Sequence, residues 1–185
     1  MTTKSIVKIA ALVIGLGVIL FAFMLFASIK TKSSSLNNHE PYKNWVGKNV
    51  TLQKETVLFI DRMYDDNDDY KYTLLDSLHP QWQSVDERKN LPAPDLEEIV
   101  KFPAGTQFKL EKAIQYTNGV SGFSTPYIFG TILHNGKTYK TGYQWGTLDL
   151  AKSMDKEKKS WHFHQAPWQD SKDTAFYELP TAKLW

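Results

Sequence analysis

"TPYIFGTILHNGKTYKTGYQWG" occupies Thr125–Gly146 and carries the plainest folding instruction in the chain. Asn135-Gly136 suits the two positive φ angles of a type I′ turn, and apolar or aromatic runs flank it on both sides. The stretch reads as a β-hairpin.

Working outward, "WVGKNVTLQKETVLFI" (Trp45–Ile60) alternates Val50 and Leu52, then Val57 and Phe59, as one or two strands would. "YKYTLLDSL" (Tyr70–Leu78) is a further strand candidate. "DERKNLPAPDLEEIV" (Asp86–Val100) reads as a two-proline loop with a short helical turn capped by Asp95. "FPAGTQFKLEKAIQY" (Phe102–Tyr116) begins with a Pro-Ala-Gly turn and continues as a strand. "GTLDLAKSMD" reads as one short helix, and "SWHFHQA" and "TAFYELP" as late strands. No repeat of 20–50 residues occurs. Short strands between turn signals predict a mainly β domain over residues 45–185, a small antiparallel barrel or sandwich. The 22 aromatic residues downstream of Lys30 supply core volume.

The N-terminus has a different texture. Between Lys8 and Lys30, "IAALVIGLGVILFAFMLFASI" runs 21 residues without a charge. At about 1.5 Å per residue such a helix covers roughly 31 Å, the thickness of a bilayer's hydrocarbon core. It exceeds the apolar segment of a signal peptide, and Leu25 stands where cleavage after Ala27 would want a small residue. Residues 9–29 are therefore expected as a transmembrane anchor in contact with the lipid bilayer. Residues 1–8 become a short cytoplasmic head, and the polar residues 30–44 a flexible tether. A head this short favours translocation of the large domain, giving a single-pass protein of a bacterial inner (cytoplasmic) membrane with an extracytoplasmic β-domain. The absence of cysteine is compatible with that placement.

The formal charge of +2 is unevenly distributed. Lys4, Lys8 and Lys30 flank the span, leaving 19 basic against 20 acidic groups in the remainder. No basic face clusters as a nucleic-acid partner would require.

Two constellations could hold a metal. In "DDNDDYKYTLLD", Asp65, Asn67, Asp69 and Asp76 stand at positions 1, 3, 5 and 12 of a calcium loop. Position 6 is Tyr70 where such loops have Gly, and the flanks resemble strands rather than helices. A solvated hairpin tip is the competing reading, with calcium the one cofactor considered. His162 and His164 would share a strand face and could bind zinc if His39, His79 or His134 supplied another ligand. An exposed strand face is the alternative.

Covalent chemistry has less support. There is no cysteine, and "NGVSGFS" (Asn118–Ser124) lacks the Gly-x-Ser-x-Gly elbow and reads as a mobile loop. No phosphate-loop or dinucleotide fingerprint occurs. An enzyme is not expected, and no catalytic residue is assigned.

"LPAPDLEEIVKFPAGTQFKLEKA", following a polar meander, resembles bacterial SH3-like barrels, in which a Pro/Gly turn precedes a strand. The resemblance covers at most residues 45–146, and the chain departs from a minimal domain of that kind by its long first hairpin and its last 40 or so residues. It implies a binding module. The expected function is a membrane-anchored module for another envelope or periplasmic protein, such as an immunity protein or inhibitor of a toxin or hydrolase. Asp65, Asp66, Asp68 and Asp69 would meet a basic cleft on that partner. The alternatives are a cell-wall glycan-binding module using Trp45, Trp82, Trp145, Trp161 and Trp168, and a metal-dependent hydrolase built on His162 and His164.

Overall fold

The computed structural model describes residues 3–61 and 70–180. Helix α1 (Thr3–Ile29) is followed by strands β1 (Lys32–Ser35), β2 (Asn49–Thr51), β3 (Thr56–Asp61) and β4 (Tyr72–Leu75). A 3₁₀ turn at Pro80–Ser84 and the short helix α2 (Val85–Lys89) lead into β5 (Leu96–Phe102), β6 (Gln107–Thr117), β7 (Ser124–His134) and β8 (Lys137–Gln144). The chain then runs through β9 (Thr147–Leu148), α3 (Leu150–Met154) and β10 (Trp161–His162).

The mainly β expectation holds. Eight strands form one sheet in the order β1-β6-β7-β8-β4-β3-β5, with β2 also on β6, and β9 and β10 form a separate ribbon. The large sheet is open, ending at β5, and one pair departs from the antiparallel pattern: β4 runs parallel to β8. The hairpin lies where the quoted stretch puts it, His134 opposite Lys137, with φ of 49° at Asn135 and 74° at Gly136.

The tether does not form as expected. Residues 32–35 are an edge strand on β6, with Lys32 opposite Thr117 and Ser35 opposite Ile114. Leu36 and Tyr42 are fully buried, and the Tyr42 hydroxyl donates to the Trp145 carbonyl. A polar strand can be held by backbone pairing alone, so the Ser-rich composition concealed it. Only Lys30 and Thr31 separate helix from strand.

Two further expectations change. Asp95 caps no helical turn: Leu96–Phe102 pairs along β3, so long-range pairing overrides the local acidic cap signal. The late strands shrink to β10 and one bridge, Trp161 to Tyr177.

The main core lies on one face of the sheet. Leu58, Leu74, Phe108, Leu110, Ile128, Ile132 and Tyr143 meet Trp161, Phe163 and Trp168 from the C-terminal segment. Trp145 and Trp168 cross edge to face at 5.5 Å, and Trp145 and Phe163 at 5.0 Å. Strand β3 is buried on both faces, because Val57 and Phe59 pack against Val85 and Leu96 on the other side. Gly130 shows how closely β6 and β7 approach: a Cβ there would stand 2.0 Å from the Lys109 carbonyl oxygen.

Helix α1 stands apart from this core. Its Ala11–Ile29 segment, 19 residues of which none is buried in the domain, is long and apolar enough to cross a membrane.

Candidate functional site

The segment that leaves β4 makes a sharp turn into the sheet's interior. Asp76 is fully buried, and its Oδ1 accepts from the Leu78 backbone N–H at 2.8 Å, closing an Asx turn. Its Oδ2 accepts from the Tyr143 hydroxyl at 2.6 Å. The Tyr143 hydroxyl also lies 3.0 Å from His164 Nε2, and His164 crosses His79 edge to face at 4.9 Å. His79 Nδ1 accepts from the Gln81 N–H at 3.1 Å and so caps the 3₁₀ turn, while its Nε2 stands 3.0 Å from the Gln144 carbonyl. That geometry assigns the proton to Nε2. Lys54 Nζ approaches Asp76 Oδ1 at 3.7 Å.

The result is a polar knot, Asp76–Tyr143–His164–His79, in an aromatic core. Burial shifts the two histidines and the tyrosine in one direction, toward their neutral forms. Desolvation pulls His79 down to about 4, against the opposing Gln144 carbonyl and Asp76 charge. Desolvation pulls His164 down to about 3, with His79, His162, Lys172 and Lys54 adding repulsion. Desolvation also raises the Tyr143 phenol, and the adjacent Asp76 raises it further. The Tyr143 phenol satisfies the buried Asp76 carboxylate, and the two imidazoles packed around it help join β4, β8 and the C-terminal segment. Asp76, Tyr143 and His79 are enclosed, whereas His164 is partly exposed at the edge of the knot.

The fates of the expected site residues follow. Asp65, Asp66, Asn67, Asp68 and Asp69 lie outside the described residues. Asp76, the twelfth position of the calcium spacing, spends both carboxylate oxygens inside the domain. His162 and His164 part company: His164 enters the knot, whereas His162 lies against the Phe176 ring at 5.9 Å. His134 crosses Phe102 at 5.3 Å. Among the described residues no three His, Asp or Glu side chains are grouped so as to hold a metal ion. The tryptophans named for a glycan surface are largely interior, with Trp145, Trp161 and Trp168 buried.

A second charged cluster went unread in the sequence. Arg88 of α2 clamps Asp61 of β3 with two hydrogen bonds, 2.6 and 3.0 Å, and donates from Nε to Asp95 at 3.0 Å. Its guanidinium is held still more firmly in the charged form by hydrogen bonding to Asp61. Arg88 and Asp61 are 27 positions apart, so no local spacing signals the pair.

The outer surface offers other features. A shallow depression of about 330 Å³ beside β5 is lined by Lys89, Pro94, Leu96, Glu97 and Glu98. At the opposite edge, the loop between β6 and β7 lies against the C-terminal end of α1: a Cβ on Gly119 would stand 2.5 Å from the Ser28 carbonyl oxygen and 2.6 Å from that of Lys30. No protein-family model, curated protein or solved structure matches this chain.

Proposed function

We propose that this chain is a single-pass, membrane-anchored binding module whose β-domain engages another protein of the bacterial envelope. One observation carries the reading. An exposed apolar helix of membrane-spanning length ends two residues before a strand of the folded domain. A partner-binding surface built this way is confined to a thin layer above the bilayer, which raises its local concentration toward partners in or beside the membrane. We place the domain on the extracytoplasmic side of a bacterial inner membrane. An immunity protein or inhibitor facing a toxin or hydrolase fits that outline. The Pro103-Ala104-Gly105 turn feeding β6, with the β6-β7-β8 meander after it, supports grouping the domain with SH3-like binding modules.

The acidic residues Asp65, Asp66, Asp68 and Asp69 are our choice for steering toward a basic partner surface. A glycan-binding surface is less well supported, because three of its five named rings are in the core.

Capture from native membranes with the full-length chain as bait tests the reading, run once with calcium and once with chelator. One near-stoichiometric protein, retained equally in both and bound more weakly by a variant with all four aspartates changed to Asn, is the expected result. Recovery of no protein partner would overturn the binding reading. Retention only with calcium would overturn the steering role and make the stretch a metal site.

A further inference from the structure

The β6–β7 loop combines three properties that point to one occupant. Its position comes first. Gly119 lies so close to the carbonyls of Ser28 and Lys30 that the loop backbone sits against the last turn of α1, where the apolar Ala11–Ile29 segment ends. The second property is its side chains. Val120 and Phe123 are 78% and 64% exposed, large apolar groups in the loop whose Gly119 meets the end of the apolar helix.

The third is its backbone. The Asn118 side-chain oxygen accepts from the N–H groups of Val120 and Ser121 at 2.8 and 2.9 Å. The Gly122 N–H donates to the Asn118 carbonyl and the Asn118 N–H to the Phe123 carbonyl, each at 2.9 Å. The Phe123 N–H reaches Ser121 Oγ at 3.3 Å. Five backbone N–H groups, those of Asn118, Val120, Ser121, Gly122 and Phe123, thus find acceptors within the loop, which lowers the cost of taking it out of water. Gly122, at φ +72°, allows the reversal that makes these bonds.

We infer that this loop is a second membrane contact, seating Val120 and Phe123 in the headgroup–acyl boundary beside the exit of α1. Lys30 and Lys32 stand at the same level, since β1 places Lys32 opposite Thr117, and they face the anionic headgroups there. The lipid surface is the occupant because the loop is continuous with the helix that meets the same bilayer. Its role is to fix the tilt of the domain, so that the surface remote from the loop is presented outward.

The inference rests on α1 spanning the membrane, and the experiment separates the two. The chain has no cysteine, so single cysteines report cleanly. Full-length protein carrying Phe123→Cys, Leu133→Cys or Phe21→Cys would be labelled with an environment-sensitive fluorophore and placed in phosphatidylethanolamine/phosphatidylglycerol nanodiscs. Leu133 is the control, 67% exposed and nine residues along β7 from Ser124, roughly 30 Å away. Quenching by a nitroxide near the lipid headgroup and by aqueous iodide is then compared. The expected result is lipid quenching at 123 several-fold stronger than at 133, with iodide quenching reversed. If 123 behaves like 133 while 21 is lipid-quenched and iodide-shielded, the loop contact is wrong and the anchor stands. If 21 is itself open to iodide, both fall.

Discussion

The Tyr143 hydroxyl donates to Asp76 Oδ2 across 2.6 Å, with both side chains out of solvent and 67 residues apart in sequence. This bond ties β4 to β8, the one parallel pair among the described residues, at a point where the register is only two residues long. A parallel pair that short gains little from its own ladder, so the buried bond takes over part of the fastening.

Removing either partner should therefore be costly. Asp76→Ala takes the carboxylate acceptor from the buried Tyr143 hydroxyl and the Leu78 N–H and removes the counter-charge beside Lys54, for a loss of about 2–4 kcal/mol. Tyr143→Phe removes one bond to a carboxylate and is expected to cost about 1.5–3 kcal/mol. Urea unfolding of the full-length protein in detergent would measure both. A double variant should lose less than the sum, since the two share one interaction.

The buried histidines set an acid limit. His79 and His164 titrate at about 4 and about 3 in the folded protein, below the ordinary histidine value of about 6.5 expected when unfolded. Between those values the unfolded chain binds more protons, so stability falls as pH drops. The penalty is absent above about pH 6.5 and grows to the order of 2 kcal/mol per histidine by roughly pH 4.5. Unfolding free energy measured from pH 7.5 downward should show this slope, and replacing His164 with Gln should reduce it. A flat profile would mean that the rings are not buried as neutral imidazoles.

Arg88 should resist conservative exchange. Its planar fork binds Asp61 through two nitrogens and Asp95 through a third, which a lysine ammonium cannot reproduce. Arg88→Lys is expected to cost about 1–3 kcal/mol, and Arg88→Ala more, because Asp61 is left buried. Thermal unfolding of the two variants beside the parent would give the order. Equal stability of Arg88→Lys and parent would refute it.

What the sequence revealed follows the range of the forces involved. The Asn135-Gly136 hairpin and the short helix α3 are legible because their signals lie within a few adjacent residues, whereas the Asp149 cap of α3 comes only from the structure. The apolar helix was legible because its whole signal is contiguous. Strand β5 reads in the sequence as loop and helical turn because Pro92, Pro94 and Asp95 send a local message that pairing with β3 overrules. Strand β1 looked like linker because Ser33, Ser34 and Ser35 gain their order from β6, more than 75 residues away. The polar knot was half seen. Asp76, His79 and His164 each drew notice as prospective metal ligands, yet the partner that joins them, Tyr143, sits in a hairpin whose aromatics read as core. Convergence across strands leaves no spacing rule in a single sequence.

The domain is fastened directly to its anchor. With β1 paired to β6 directly after α1, and Gly119 against the helix end, the β-domain cannot swing on a tether. The most direct measurement is the spread of distances between spin labels in a Phe21→Cys/Leu133→Cys variant of the full-length chain, recorded by pulsed electron paramagnetic resonance in nanodiscs. One narrow distribution is predicted, matching a helix and domain joined as a unit. A broad distribution, of the kind a dozen flexible residues would give, would contradict the fastening of the domain to its anchor.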